Sequence, residues 1–192
     1  RTVVIDSLDW LERLIWDDVC RKYGVTSIER ADGGYGRGYV QALSSWRQII
    51  DLLTTLRDTK SMAVILIAHA KIEKFEDPER PAYDRYSPRL HKLASAMIVE
   101  WCDAVLFAGN KIVTQTEDSG FGRERIIATT TGKDGGERIL RAVGSPACVA
   151  KNRFGLPAEI PLSWPSLIQA MRESMVPTKP AANQQSESSV TE

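Results

Sequence analysis

Asp6 closes the apolar run Thr2-Val3-Val4-Ile5, and Ser7 follows it directly. A carboxylate at the carboxyl end of a buried strand stands where ligands gather in mostly parallel sheets. Its oxygens suit a hard divalent cation that also bridges phosphate oxygens. Both residues are also good helix N-caps, so capping of a following helix is the competing reading. A second apolar run, residues 62–68, ends in His69. Its imidazole can donate to a phosphate oxygen, or simply bond to backbone. The third group is Lys151-Asn152-Arg153. On an extended segment residues i and i+2 point the same way, so both cations would face one anion. A solvated turn carries the same pair with no such role.

Composition bounds these options. The chain has 192 residues, 43% hydrophobic and 26% charged, which suits one domain with a real core. The formal net charge is zero, so no global basic field advertises nucleic acid, and any such binding must come from local loops. Cys20, Cys102 and Cys148 are scattered and form no Cys-x-x-Cys pair, which argues against a disulfide framework and a structural zinc site. No apolar run approaches a membrane span and no signal-peptide pattern opens the chain, so the expected location is cytoplasmic.

The elements that must position these groups follow from periodicity. Leu8, Leu11, Leu14, Ile15 and Val19 recur at helical spacing and predict a helix to about Gly24, with Asp9, Glu12, Asp17 and Asp18 on its solvated side. Residues 25–38 read as a flexible, glycine-rich loop. It follows a helix rather than a strand, so Gly33, Gly34, Gly36 and Gly38 are no phosphate cradle. Val40, Leu43, Trp46, Ile49, Ile50, Leu53 and Leu56 mark a second amphipathic helix. Residues 62–68 read as a central parallel strand. Residues 71–89 form a long polar segment without periodicity, of the kind that is functional or disordered.

Leu90, Leu93, Met97 and Trp101 define a third helix, and residues 103–108 a further buried strand. Residues 112–116, 125–130 and 138–143 read as short, partly exposed strands, with a turn at 132–136 and one more strand at 147–150. Residues 164–171 predict a closing helix. The Pro, Ala, Gln, Ser and Glu composition of 176–192 cannot bury a core and predicts a disordered tail. The expected fold class is α/β over residues 1–175, a parallel sheet continuing into an antiparallel C-terminal meander.

Three stretches give the chain a family likeness: Thr2-Val3-Val4-Ile5-Asp6-Ser7; Val64-Ile65-Leu66-Ile67-Ala68-His69-Ala70-Lys71, with Lys74-Phe75-Glu76-Asp77-Pro78-Glu79 and Tyr83-Asp84-Arg85-Tyr86 after it; and Ala150-Lys151-Asn152-Arg153-Phe154-Gly155-Leu156-Pro157. In this order the chain resembles the RecA-like P-loop ATPases, and more closely a phage branch of nucleotide-binding proteins associated with single-strand annealing and recombination. The resemblance runs from Thr2 to about Trp164. It implies a partial RecA-like core with ATP and Mg²⁺ as cofactors. Asp6 would hold the ion through water as part of a Walker B strand, with Ser7 beside it. His69 would sense the γ-phosphate, and Lys151 and Arg153 would reach the nucleotide of an adjacent subunit.

The resemblance further implies a homo-oligomeric ring or filament on single-stranded DNA, no membrane, and host cytoplasm if the protein is phage-encoded. Two segments fall where RecA-like proteins contact the strand. Tyr35 and Arg37 in the first, and Lys71, Lys74, Arg80, Tyr83, Arg85, Tyr86 and Arg89 in the second, supply cations for phosphates and aromatic faces for bases. Glu73, Glu76, Asp77, Glu79 and Asp84 almost cancel the second segment's charge. A self-paired segment that orders against a neighbouring subunit therefore stays open.

One part of the pattern is missing. No Gly-x-x-x-x-Gly-Lys-Ser/Thr occurs; Gly132-Lys133 comes nearest, with Asp134 in place of the hydroxyl and Ile127 in place of the first glycine. The expectation is a core lacking its N-terminal part, from a longer DNA-dependent ATPase. A non-catalytic DNA-binding or oligomerisation module and a replicative-helicase-like motor are the alternatives. Residues 1–192 alone should release no significant phosphate from ATP, with or without single-stranded DNA. Robust turnover by the purified chain would contradict this.

Overall fold

The computed structural model describes residues 1–79, 81–118, 124–130 and 136–175. Arg80, most of the expected turn at 132–136 and the expected tail at 176–192 lie outside the described residues. Strands β1 (Thr2–Asp6) and β2 (Ala63–Ile67) pair in parallel, from Thr2↔Ala63 to Asp6↔Ile67. The crossover between them comprises α1 (Leu8–Tyr23), a 3₁₀ turn (Ile28–Gly33) and α2 (Arg37–Lys60). Gly24, at φ 63°, ends α1 in the left-handed conformation that glycine adopts without strain.

The sheet carries less cover than its apolar run predicts. Ile5 and Leu66 pack into the helical core, while Val4 and Ile67 are exposed. β2 is thus a half-exposed strand of a two-stranded sheet rather than a wholly buried central one, because the helices cover only one face. That core gathers Leu8, Ile15 and Val19 of α1 with Ala42, Trp46 and Ile50 of α2. Residues 25–38 are also not a formless loop. Ser27 accepts the Glu29 N–H at 3.4 Å to start the 3₁₀ turn, and Ile28 and Ala31 are buried in the core.

The largest correction concerns residues 71–89. They form an antiparallel hairpin of β3 (Ala70–Phe75) and β4 (Tyr83–Pro88), with Lys71↔Ser87, Glu73↔Arg85 and Phe75↔Tyr83 in register. Its period of two is carried by charge and aromaticity rather than hydropathy. Arg85 lies 3.9 Å over the Phe75 ring and 3.4 Å from Glu73 on the half-buried face.

Next come α3 (Lys92–Trp101), β5 (Ala104–Val105) and β6 (Phe107–Asn110), so the expected strand at 103–108 is broken in two. The Trp101 indole N–H donates to Thr54 Oγ1 at 3.0 Å and ties α3 to α2. β7 (Ile112–Asp118) and β8 (Glu124–Thr130) form a hairpin. β9 (Arg138–Arg141), β10 (Lys151–Asn152), β11 (Glu159–Pro161) and α4 (Trp164–Ser174) complete the described chain.

Residues 147–150 are not a strand; Cys148 makes single bridges to Tyr86 and Ser145. β6, β9 and β11 form a separate antiparallel sheet over a second core of Leu140, Ala142, Leu156, Ile160 and Ala170. Among the described residues the parallel pair therefore does not continue into the meander as one sheet.

Gly38 sits in the first turn of α2 where it crosses the 3₁₀ turn. A Cβ there would run into the Ile28 carbonyl oxygen and lie 3.0 Å from Ala31 Cβ. Gly38→Ala should lower stability by about 1–3 kcal/mol through overpacking. Urea unfolding checks this, and an unchanged midpoint would contradict the packing.

Candidate functional site

β1 delivers Asp6 to the carboxyl edge of the parallel pair, exposed and level with Ile67 of β2. The Asp6–Ser7 peptide is cis. Ser7 takes the N-cap position of α1, yet its side chain makes no capping bond. Its hydroxyl is buried and has no hydrogen bond of good geometry. Helix capping therefore does not account for the Ser7 hydroxyl, which lies against the Asp9 carboxylate and helps hold it ionised.

Asp9 and Glu12 correct the sequence expectation. The helical spacing puts both on the solvated side of the first helix, yet both are buried, at 6% and 4% exposure. Each Asp9 oxygen lies 3.1 Å from His69 Nδ1, and Oδ1 also accepts the His69 backbone N–H at 3.3 Å. Burial alone would raise the Asp9 carboxyl; the neighbouring Ser7 hydroxyl and the His69 ring and N–H outweigh it and bring the pKa down to about 2. One turn on, both Glu12 oxygens accept the His91 N–H at 3.0 Å. Burial pushes the Glu12 carboxyl up, against the pull of the His91 N–H and Lys71. A legible signal existed for Glu12. Leu8, Glu12, Ile15 and Val19 fall at i, i+4, i+7 and i+11, so the carboxylate sits within the buried stripe.

These contacts seize both ends of the hairpin. His69 precedes β3 and His91 follows β4. The base is closed by the Arg89 N–H to the His69 carbonyl at 2.7 Å, and by Lys71 Nζ to the Leu90 carbonyl at 2.9 Å. A cleft of about 250 Å³ opens here, lined by Asp9, Glu12, Trp16, Lys71, Arg89 and His91 among others. His91 stacks on Tyr39 at 4.1 Å, and its Nδ1 accepts the Leu93 N–H at 3.4 Å to cap α3. Burial, with Lys92 and Lys71 nearby, lowers the His91 pKa and keeps that acceptor available.

The remaining expected residues divide. His69 stands just beyond β2 at the Asp6 edge, with its side chain 59% exposed. Tyr35 is fully exposed at φ 54°, and Arg37 is exposed at the start of α2. On the hairpin Lys74 is exposed, and Tyr86 stacks on Phe107 at 4.9 Å. Lys71 and Arg85 both lie near Glu73, at 3.7 and 3.4 Å, and Tyr83 packs against Phe75, so self-pairing of this segment is observed.

Lys151 and Arg153 reach the same end of α3. Lys151 Nζ donates to the carbonyls of Val99 at 2.9 Å and Glu100 at 2.6 Å, a cation on a helix C-terminus. Arg153, 56% exposed, lies 3.3 Å from Asp103. That end is separated from the Glu12-held end by the ten residues of α3, about 15 Å. Asn152, given no role by sequence reasoning, bonds the Leu156 N–H at 2.9 Å and carbonyl at 2.8 Å, closing the turn at Gly155.

The Asp9 pairing fixes a pH dependence. Its folded pKa lies below the ordinary 3.8, so its contribution is present above about pH 4 and is lost as pH falls toward 2. Asp9→Ala should cost on the order of 1–2 kcal/mol at pH 7, shrinking between pH 4 and pH 2. Urea unfolding at stepped pH measures this, and a penalty that does not change with pH would contradict the pairing.

A family model described as an AAA domain matches residues 1–154, a span that contains Asp6, Ser7, Asp9, Glu12, His69, Lys151 and Arg153. No curated protein and no solved structure matches the chain. The match covers 154 of the 192 residues, and the parallel β1–β2 pair with its helical crossover agrees with the α/β fold of such proteins. The chain belongs to the AAA domain family of P-loop ATPases.

Proposed function

We propose that this chain carries the Walker B strand of a RecA-like, DNA-stimulated ATPase of phage type that works on single-stranded DNA in recombination or annealing. One observation carries the reading. Asp6, Ser7 and His69 share the carboxyl edge of a parallel pair, and a hairpin of mixed charge that carries aromatic residues rises from that same edge.

The residues fit the group they would serve. Among the described residues no three His, Cys, Asp or Glu side chains cluster into a cation site. An ion at Asp6 would therefore arrive with the triphosphate and keep most of its ligands as phosphate oxygen and water, as Mg²⁺ does. When bound, Mg²⁺-ATP would supply the phosphoryl group, and the ion would neutralise the charge that builds on the phosphate oxygens as that group leaves. Asp6 would hold the ion through water, with Ser7 beside it, and His69 would read the terminal phosphate. Arg153 acts on the nucleotide of a neighbouring copy in a homo-oligomer. Lys151 is committed to the α3 carbonyls and serves that role only after leaving them.

That commitment of Lys151 favours one alternative, a non-catalytic DNA-binding or oligomer-forming module. Two measurements separate the readings. In the full-length form, Arg153→Ala should impair ATP hydrolysis and spare nucleotide binding; equal loss of both would count against action in trans. On residues 1–192, fluorescence anisotropy with labelled oligo-dT should show salt-sensitive binding. Tyr35→Ala and Lys74→Ala should each weaken it several-fold, since a stacked aromatic contributes about 1–3 kcal/mol per base. Absence of binding at low salt would remove the DNA part of the proposal.

A further inference from the structure

We propose that Asp9 is the positioning residue of His69: it pins the imidazole in its Nδ1–H form and leaves Nε2 as the ring nitrogen open to a ligand. The inference deepens the reading of His69 given above, and its tautomer claim stands without that reading.

Geometry carries the argument. Both Asp9 oxygens lie 3.1 Å from Nδ1, and an ionised carboxylate can only accept, so Nδ1 must donate. The low Asp9 pKa keeps the carboxylate ionised throughout the neutral range. The same carboxylate takes the His69 backbone N–H, so ring and main chain are held as one unit. Asp9 is 6% exposed while the His69 side chain is 59% exposed. The Nδ1 edge therefore faces inward and the ring's free edge faces solvent at the Asp6 end of the sheet. Among the described residues Asp9 is the ionisable side chain in contact with the ring; Arg89 meets His69 only through its backbone N–H.

The chemistry at Nε2 follows. In the neutral ring Nε2 is an acceptor, suited to a water or hydroxyl. In the protonated ring it donates, with Asp9 as counter-ion. A terminal phosphate oxygen, which needs a donor, can bond Nε2 only in the second state. His69 would then meet a triphosphate as a cation already paired with a buried carboxylate. His91 provides an internal contrast. Its Nδ1 accepts the Leu93 N–H, which commits its own proton to Nε2.

The test is the tautomer of each histidine by long-range ¹H–¹⁵N correlation on ¹⁵N-labelled residues 1–192, above the ring titrations. The chain has two histidines, and the signals lost in His69→Gln belong to His69. The expected result is Nδ1–H at His69 and Nε2–H at His91, with Asp9→Ala moving His69 toward the Nε2–H form that free imidazole side chains prefer in water. An Nε2–H tautomer at His69 in the unaltered chain overturns the inference, and so does a folded Asp9→Ala variant whose His69 signals do not move. Should Asp9→Ala fail to fold, the unaltered chain alone decides. No nucleotide is needed, so failure here is distinct from failure of the ATPase reading.

Discussion

Two buried carboxylates one turn apart on α1, Asp9 and Glu12, hold the rest of the site together. A carboxylate removed from water is expensive unless it is fully paired. These two are paired with the two ends of one structural unit. Asp9 takes the ring and N–H of His69 before the hairpin, and Glu12 takes the N–H of His91 after it. The hairpin is thus bolted to the helix that begins directly after Asp6 and Ser7. Farther up β4, Tyr86 is held by the 147–149 segment as well.

The two pairings differ electrostatically, and the difference is informative. Asp9 gains more from its partners than it loses to burial, and its carboxyl is driven down. Glu12 loses more than it gains, and its carboxyl is driven up. Glu12 is held at the amino end of α3, where a negative charge is favoured by the helix dipole. The far end of α3 mirrors this arrangement, with Lys151 on its last carbonyls. One short helix is clamped at its positive end by an anion from α1 and at its negative end by a cation from the β10 segment.

Much of this was legible in the sequence, and the exceptions have physical causes. The spans of β1, α1, α2, α3 and α4 follow from hydrophobic spacing, because each buries one apolar stripe. The placement of Asp6 and His69 at strand ends is legible because an apolar run ending in a polar residue is a one-dimensional pattern. The hairpin was missed because its alternation sets Lys71, Glu73 and Phe75 against Arg85 and Tyr83, residues that hydropathy does not separate. Asp9 and Glu12 escape the sequence because charge reads as solvation, although Glu12 falls in the register of the core stripe. The partners of Lys151 lie some fifty residues away in sequence, and no local pattern records them.

The account rests on the grip of α1 on the hairpin, and residue-resolved hydrogen exchange of residues 1–192 tests it most directly. With Glu12→Ala, the His91 amide and the amides of β3 and β4 should exchange faster by an order of magnitude or more, about 1.4 kcal/mol or greater of lost protection. Those of β9 and β11, over the second core, should be unchanged. Equal acceleration in both regions, or none at His91, would contradict the account.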